Sequence, residues 1–97
     1  MNALDDAIHD RFEIEFTYDG QPRIVQPAAH GLHKDTGKES LRGYQIGGRS
    51  NSRNPPLWDM FTVSKISDLV ITDRKFPDDP RFYSRGDKHL RVIYAEL

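Results

Sequence analysis

The chain has 97 residues, of which 36% are apolar and 30% are charged, a composition typical of one globular domain. The absence of cysteine excludes disulfides and thiolate metal sites, and a formal net charge of −1 argues against strong non-specific binding to duplex DNA. No apolar run approaches the length of a membrane span, so we expect one cytoplasmic domain over residues 1–97 and no membrane association.

The N-terminal residues favour a short amphipathic helix from about Ala3 to Arg11. Asn2 is a good N-cap, and apolar residues follow it at helical spacing. The period then changes from 3.6 to 2 in "EIEFTY", where Ile14, Phe16 and Tyr18 alternate with polar residues. This alternation predicts a half-buried first strand.

Further strands follow between turns. "RIVQP" begins a second strand that runs towards Leu32, and "SLRGYQIG" and "LWDMFTV" predict the third and fourth. "SKI" is a tight turn into the fifth strand, "SDLVITD", and "LRVIYAEL" resumes a strand pattern at the end. We therefore expect a mostly β fold, a small antiparallel barrel of five to six strands with an N-terminal α-helix. The predicted core residues are Ile14, Phe16, Ile24, Leu41, Phe61, Ile66, Leu69 and Ile71.

The segment from Gly47 to Pro56 contains no apolar side chain and joins two apolar strands. Its two adjacent glycines permit positive φ, which would let backbone N–H groups converge on an anion. Arg49 and Arg53 supply forked donors suited to phosphate, and neutral donors are added by Ser50, Asn51 and Ser52. The alternative is a mobile hairpin loop with solvated arginines.

Aromatic and polar residues flank this segment on the adjoining strands. Tyr44, Gln45 and Trp58 would offer a stacking surface for a base, with Arg42 at the neighbouring rim. Core or rim packing is the alternative for Trp58. In the irregular segment "KFPDDPRFYSRGDKH", the aromatic residues are expected to pin the chain to the barrel: Phe76, Phe82 and Tyr83.

Catalytic and metal-binding signals are weak. No serine lies in a nucleophile elbow, and the four histidines lack ligand spacing, so we expect no enzyme, no metal and no cofactor. Asp73 and Lys75 after Asp59 faintly resemble half of a metal-dependent nuclease site, for which solvated charge at a strand end is the simpler interpretation.

Several landmarks in order resemble the WYL domain family. They are "AIHDRFEIEFTYDG", "RIVQP", "LRGYQ" and "MFTVSKI", which cover roughly residues 3 to 76. The chain departs from the family where the Trp-Tyr-Leu triplet is expected, because Glu39, Ser40 and Leu41 stand there. Lys65 matches the family's basic position before isoleucine.

The resemblance implies an Sm-like five-stranded barrel with an N-terminal helix. It also implies a bacterial regulatory module, used in transcription regulation, that binds nucleotides or nucleic acid through basic and polar residues on one face. The predicted ligand-binding residues are Arg42, Tyr44, Gln45, Arg49, Ser50, Arg53, Trp58 and Lys65. A second hypothesis is a module that pairs through a barrel edge, including "RVIYAEL", with itself or with a regulator protein.

Overall fold

A computed structural model describes residues 2–51 and 53–97 of the chain. Its elements in chain order are α1 (Ala3–Asp10), β1 (Phe12–Tyr18), β2 (Gln21–His33), β3 (Glu39–Gly48), β4 (Leu57–Thr62), a 3₁₀ turn (Val63–Lys65), β5 (Ser67–Lys75) and β6 (Leu90–Glu96). The mostly β architecture with one N-terminal helix is as expected. Among the described residues, no helix is long and apolar enough to cross a membrane.

Helix α1 begins at the residue that its sequence indicates, after the predicted N-cap. The Asn2 side chain accepts a hydrogen bond from the Leu4 backbone N–H at 2.8 Å, which caps the first turn. Arg11 adopts a left-handed backbone with φ of 60° and ends the helix, one residue earlier than expected. The apolar face of the helix, Leu4, Ala7 and Ile8, is buried on the sheet.

All strand pairs are antiparallel, and five strands follow one path in the order β4-β3-β2-β1-β5. The 13-residue strand β2 is the longest. Its first half pairs with β1, its second half pairs with β6, and β3 lies along its other edge. Irregularities in its pairing with β3, one of them between Pro27 and Ala29, let this long strand bend.

The core lies between α1 and the concave side of the sheet. Phe16 and Phe61 meet edge to face with ring centroids 5.0 Å apart, and Tyr18 packs against Phe61 at the same distance. Burial is confirmed for four of the residues expected in the core: Ile14, Phe16, Leu41 and Phe61. Ile24 and Ile66 are only half-buried.

Strand β5 contradicts two core predictions. Leu69 is 37% exposed and Ile71 is 38% exposed, although Ile71 lies opposite the buried Ile14. The reason is that the sheet does not close, because none of the strands formed by residues 2–51 and 53–97 pairs with the far edge of β5. The expected closed barrel is therefore an open six-stranded sheet, and the residues of β5 that face the core remain accessible at its edge.

Candidate ligand-binding site

A cavity lies where the long connection between β5 and β6 crosses β3 and β4. Its volume is about 450 Å³. Its wall combines aromatic side chains with charged ones: Trp58, Phe82, Tyr83, Arg42, Asp87, Lys88 and His89, together with the small residues Ala29, Ser84 and Gly86. We call it the Trp58 cavity.

Trp58 holds the connection against the sheet. Its ring packs on Tyr44, its direct neighbour across β3 and β4, with centroids 5.1 Å apart. Its indole N–H donates to the Arg81 carbonyl at 2.7 Å, and its ring stacks on Tyr83 at 6.3 Å. The Tyr83 hydroxyl donates in turn to the Leu97 carbonyl at 2.9 Å. Burial, with the nearby Glu96 carboxylate, raises the pKa of Tyr83, so this hydroxyl remains protonated as a donor.

An ion pair forms the polar wall of the cavity. Arg42 Nε lies 2.6 Å from an Asp87 carboxylate oxygen, and Arg42 Nη2 lies 3.2 Å from His89 Nδ1. Burial alone would raise the pKa of Asp87, but hydrogen bonds from Arg42 and the His89 backbone N–H outweigh it and lower that pKa. Asp87 is therefore ionised near neutral pH and balances Arg42, whereas the exposed Lys88, which also lines the wall, forms no ion pair within the part of the chain that the structure describes.

Phe82 lies at the rim of the cavity in an unusual conformation. It is 81% exposed, and its backbone is left-handed with φ of 66°. Left-handed backbone is costly for a bulky residue, and an aromatic ring in water gains no burial energy. The Arg81 guanidinium lies 4.9 Å from the ring centroid. Phe82 therefore does not pin the connection as expected, whereas Phe76 is buried and Tyr83 is half-buried.

The two glycines expected to form an anion nest have another role. Gly47 and Gly48 belong to β3 and lie opposite Ile24 and Arg23 of β2. Gly48 has φ of +79°, and a Cβ there would lie 2.2 Å from the Pro22 carbonyl oxygen. The next amide, of Arg49, already donates to that oxygen at 2.8 Å. These residues therefore serve the close approach of two strands, and the Arg49 N–H is already bound to the Pro22 carbonyl.

Gln45 fastens the segment after β3 to the interior. Its side chain is fully buried, and its Nε2 donates to the carbonyls of Gly47 and Arg49 at 2.9 Å each. Its Oε1 accepts from Arg23 Nη1 at 3.2 Å, and Arg23 is itself buried. Gln45 therefore joins the end of β3 to the buried Arg23 and does not line the Trp58 cavity. The segment is attached to the sheet at several points, which disfavours the mobile-loop alternative.

The predicted site residues thus fall into three groups. Arg42 and Trp58 line the cavity, Tyr44 packs behind Trp58, and Arg53 donates to the Trp58 carbonyl at 3.1 Å. Arg49 is exposed and Ser50 half-buried in the segment held by Gln45, whereas Ser52 lies outside the described residues. Lys65 is exposed in the 3₁₀ turn, at the end of β4 remote from Leu57.

Sequence reasoning missed the contribution of the β5–β6 connection. Phe82, Asp87, Lys88 and His89 line the cavity, yet they come from a segment that has no strand period. The available signal was the mixture of aromatic and cationic residues from position 81 to 91. Because this segment is not a strand, it has no fixed pairing with its neighbours. Its composition alone therefore does not indicate which strands it crosses.

Other candidate chemistry is dispersed. Asp59 lies on β4 and Asp73 on β5, at the two ends of the strand path, and the Asp59 carboxylate accepts from the Met60 backbone N–H at 2.8 Å. Within residues 2–51 and 53–97, no group of three His, Asp or Glu side chains is arranged to hold a metal ion.

The sequence matches no protein-family model, and no curated protein or solved structure is significantly similar to it.

Proposed function

We propose that this protein is a small, non-enzymatic binding module that holds a nucleotide or a short single-stranded nucleic acid in the Trp58 cavity. The observation that carries the proposal is the combination, in one cavity of about 450 Å³, of Trp58, Phe82 and Tyr83 with the charged groups of Arg42 and Lys88. Cavities of this size accommodate small organic ligands.

The chemistry of the wall suits a ligand with a planar base and a phosphate. The Arg81 guanidinium lies over one face of the exposed Phe82 ring, and a base would stack on the opposite face. Lys88 supplies a mobile cation for phosphate, while Asp87 holds the Arg42 guanidinium in place. Binding of this kind would gain affinity from stacking and from phosphate contacts, with little sequence selectivity.

The resemblance to WYL domains supports the same proposal. The N-terminal helix and the antiparallel strands agree with the coarser part of what this resemblance implies, a mostly β fold with one helix at its start. We propose that the chain is a divergent, WYL-like bacterial regulatory module in the cytoplasm. Of the ligand-binding residues predicted from the sequence, Arg42 and Trp58 line the proposed site, and the β5–β6 connection adds Phe82 and Lys88 to them.

Fluorescence of Trp58, the only tryptophan, tests the proposal. A panel of nucleotides and short DNA and RNA oligonucleotides should change its emission on binding, because the indole lines the cavity. Phe82→Ala should weaken binding by about tenfold through the lost stacking surface. Lys88→Ala should weaken it and lower the salt slope by about one unit.

Lys38→Ala is the matched control, since Lys38 is an exposed lysine in the β2–β3 turn that does not line the cavity. It should bind as the parent does. The proposal is wrong if no member of the panel binds, or if the ligand that binds does so equally well to the Phe82 and Lys88 variants.

A further inference from the structure

Strand β5 is apolar in its middle on both of its faces. Leu69 and Ile71 lie on the core side and are 37% and 38% exposed, while Val70 lies on the other side and is 53% exposed. Arg74 and Lys75 lie at the end of β5, and its pairing with β1 is irregular on both sides of Val70–Ile71, so the part open to a partner is the short apolar stretch of residues 69–71, which contains no proline, lysine or arginine. An edge strand of this composition favours pairing with another strand.

The edge of β4 is different, because side chains already occupy it. The Tyr18 hydroxyl accepts from the Thr62 backbone N–H at 3.0 Å, and the Asp59 carboxylate accepts from the Met60 N–H at 2.8 Å. Arg53 donates to the Trp58 carbonyl at 3.1 Å. These groups alternate along the strand and so face the same edge. Among the described residues, no side chain caps a backbone group of β5 from Ser67 to Asp73.

We propose that two copies of this chain pair through β5 as an antiparallel, two-fold symmetric dimer. Identical strands that pair in this way form an isologous contact. If residue i of one copy lies opposite residue j of the other, then residue j of the first copy lies opposite residue i of the second. With the two-fold axis perpendicular to the sheet, the core-facing residues of both copies lie on the same face. Leu69 and Ile71 of each copy would then be covered by the other.

The apolar pattern selects one register. When Val70 lies opposite Val70 of the second copy, each Leu69 lies opposite an Ile71, so all three exposed apolar residues meet apolar partners. The contact is confined to this regular part of β5, because its pairing with β1 is irregular between Ser67 and Val70, where Asp68 has φ of 54°, and again between Ile71 and Lys75. Centring the pair on Ile71 instead would place Leu69 opposite Asp73, which leaves the leucine without an apolar partner.

The dimer involves no residue of the Trp58 cavity, so it does not rest on the proposed ligand. It also differs from pairing through β6, the edge that the sequence suggested. Val92 of β6 is the matched control position for Val70, because it is also a valine on an edge strand and is 39% exposed.

Sedimentation of the parent protein should show a concentration-dependent rise from 11.2 kDa towards twice that mass. Val70→Lys should raise the dissociation constant by about tenfold or more, because two ammonium groups would meet at the axis in place of two valines. Val92→Lys should leave the dissociation constant unchanged. A parent that stays monomeric up to about 1 mM, or one whose dimer is lost with Val92→Lys but not with Val70→Lys, overturns the proposal.

Disulfide trapping tests the register directly, since the chain contains no cysteine. Directly opposed residues of an antiparallel pair have the Cα separation that a disulfide requires. Val70→Cys should therefore cross-link to a covalent dimer under mild oxidation, with Val92→Cys remaining largely monomeric. Equal cross-linking of the two variants would show random collision and would refute the proposed pairing.

Discussion

At the scale of single residues, Arg23 and Gln45 show how the interior carries a charge without an opposite charge beside it. Arg23 Nη2 donates to the Tyr18 carbonyl at 3.0 Å, and the guanidinium lies 5.6 Å from the Tyr18 ring centroid and 5.9 Å from that of Phe61. Gln45 supplies the remaining side-chain acceptor, while Arg23 Nε has no partner among the described residues. Aromatic faces and neutral oxygens therefore replace a carboxylate.

Gln45→Leu should lower the free energy of unfolding by about 2–3 kcal/mol, because it removes an acceptor from a buried cation and leaves the Gly47 and Arg49 carbonyls without their donor. Denaturant unfolding measures this difference. Arg49→Ala is the control, since its guanidinium is exposed, and should change stability by no more than about 0.5 kcal/mol. Equal stability of both variants would contradict the structural role of Gln45.

The assignment of Gln45 also shows what sequence alone could give. Leu41, Gly43 and Gln45 alternate along β3 and are all buried, so the strand period already placed Gln45 on the core side. The opposite face carries Arg42 and Tyr44, which do approach the cavity. The polar side chain of Gln45 suggested a ligand-binding residue. Its actual partner, Arg23, lies on β2, and the sequence around Gln45 does not indicate that contact.

At the scale of elements, local patterns predicted the helix, its cap and the strands, because these depend on neighbours in sequence. They did not predict which strand would lie at an edge. Strand β5 has the apolar content of a buried strand, and only the pairing order shows that nothing covers it. The two halves of β2 likewise have different partners on one edge, an arrangement set by contacts distant in sequence.

Strand β2 accepts β6 only because of Gly31. A Cβ at this position would lie 1.9 Å from the Val92 carbonyl oxygen, so the backbone of β6 would have to move. Gly31→Ala should lower the free energy of unfolding by about 1–3 kcal/mol, the usual range for overpacking. Hydrogen exchange should show that the amides of β6 lose protection more than those of the β1–β2 hairpin.

Gly20→Ala separates the clash at Gly31 from simple backbone strain. Gly20 has φ of +73°, but no atom lies within 4 Å of a Cβ built there. Its replacement should therefore cost stability through strain alone, without a selective loss of protection in β6. The same exchange pattern in both alanine variants would show that Gly31 does not determine the docking of β6.

At the scale of the whole molecule, the cavity and the open edge use different parts of the fold. The cavity is formed by β2, β3, β4 and the β5–β6 connection, whereas the proposed dimer uses β5 alone. We therefore expect ligand binding and self-association to be energetically independent. Without shared residues or a common two-state element, neither event has a means of changing the affinity of the other.

Val70→Lys and Phe82→Ala test this independence, because the first weakens the dimer and the second weakens ligand binding. Val70→Lys should bind a nucleotide or oligonucleotide ligand of the parent with unchanged affinity, and Phe82→Ala should retain the dissociation constant of the dimer. A ligand at one hundred times its dissociation constant should add about 2.7 kcal/mol to the stability of both the parent and the Val70 variant. If the monomeric variant instead loses ligand affinity, the second copy must contribute to the site, and binding would then be coupled to assembly through the connection that leaves β5.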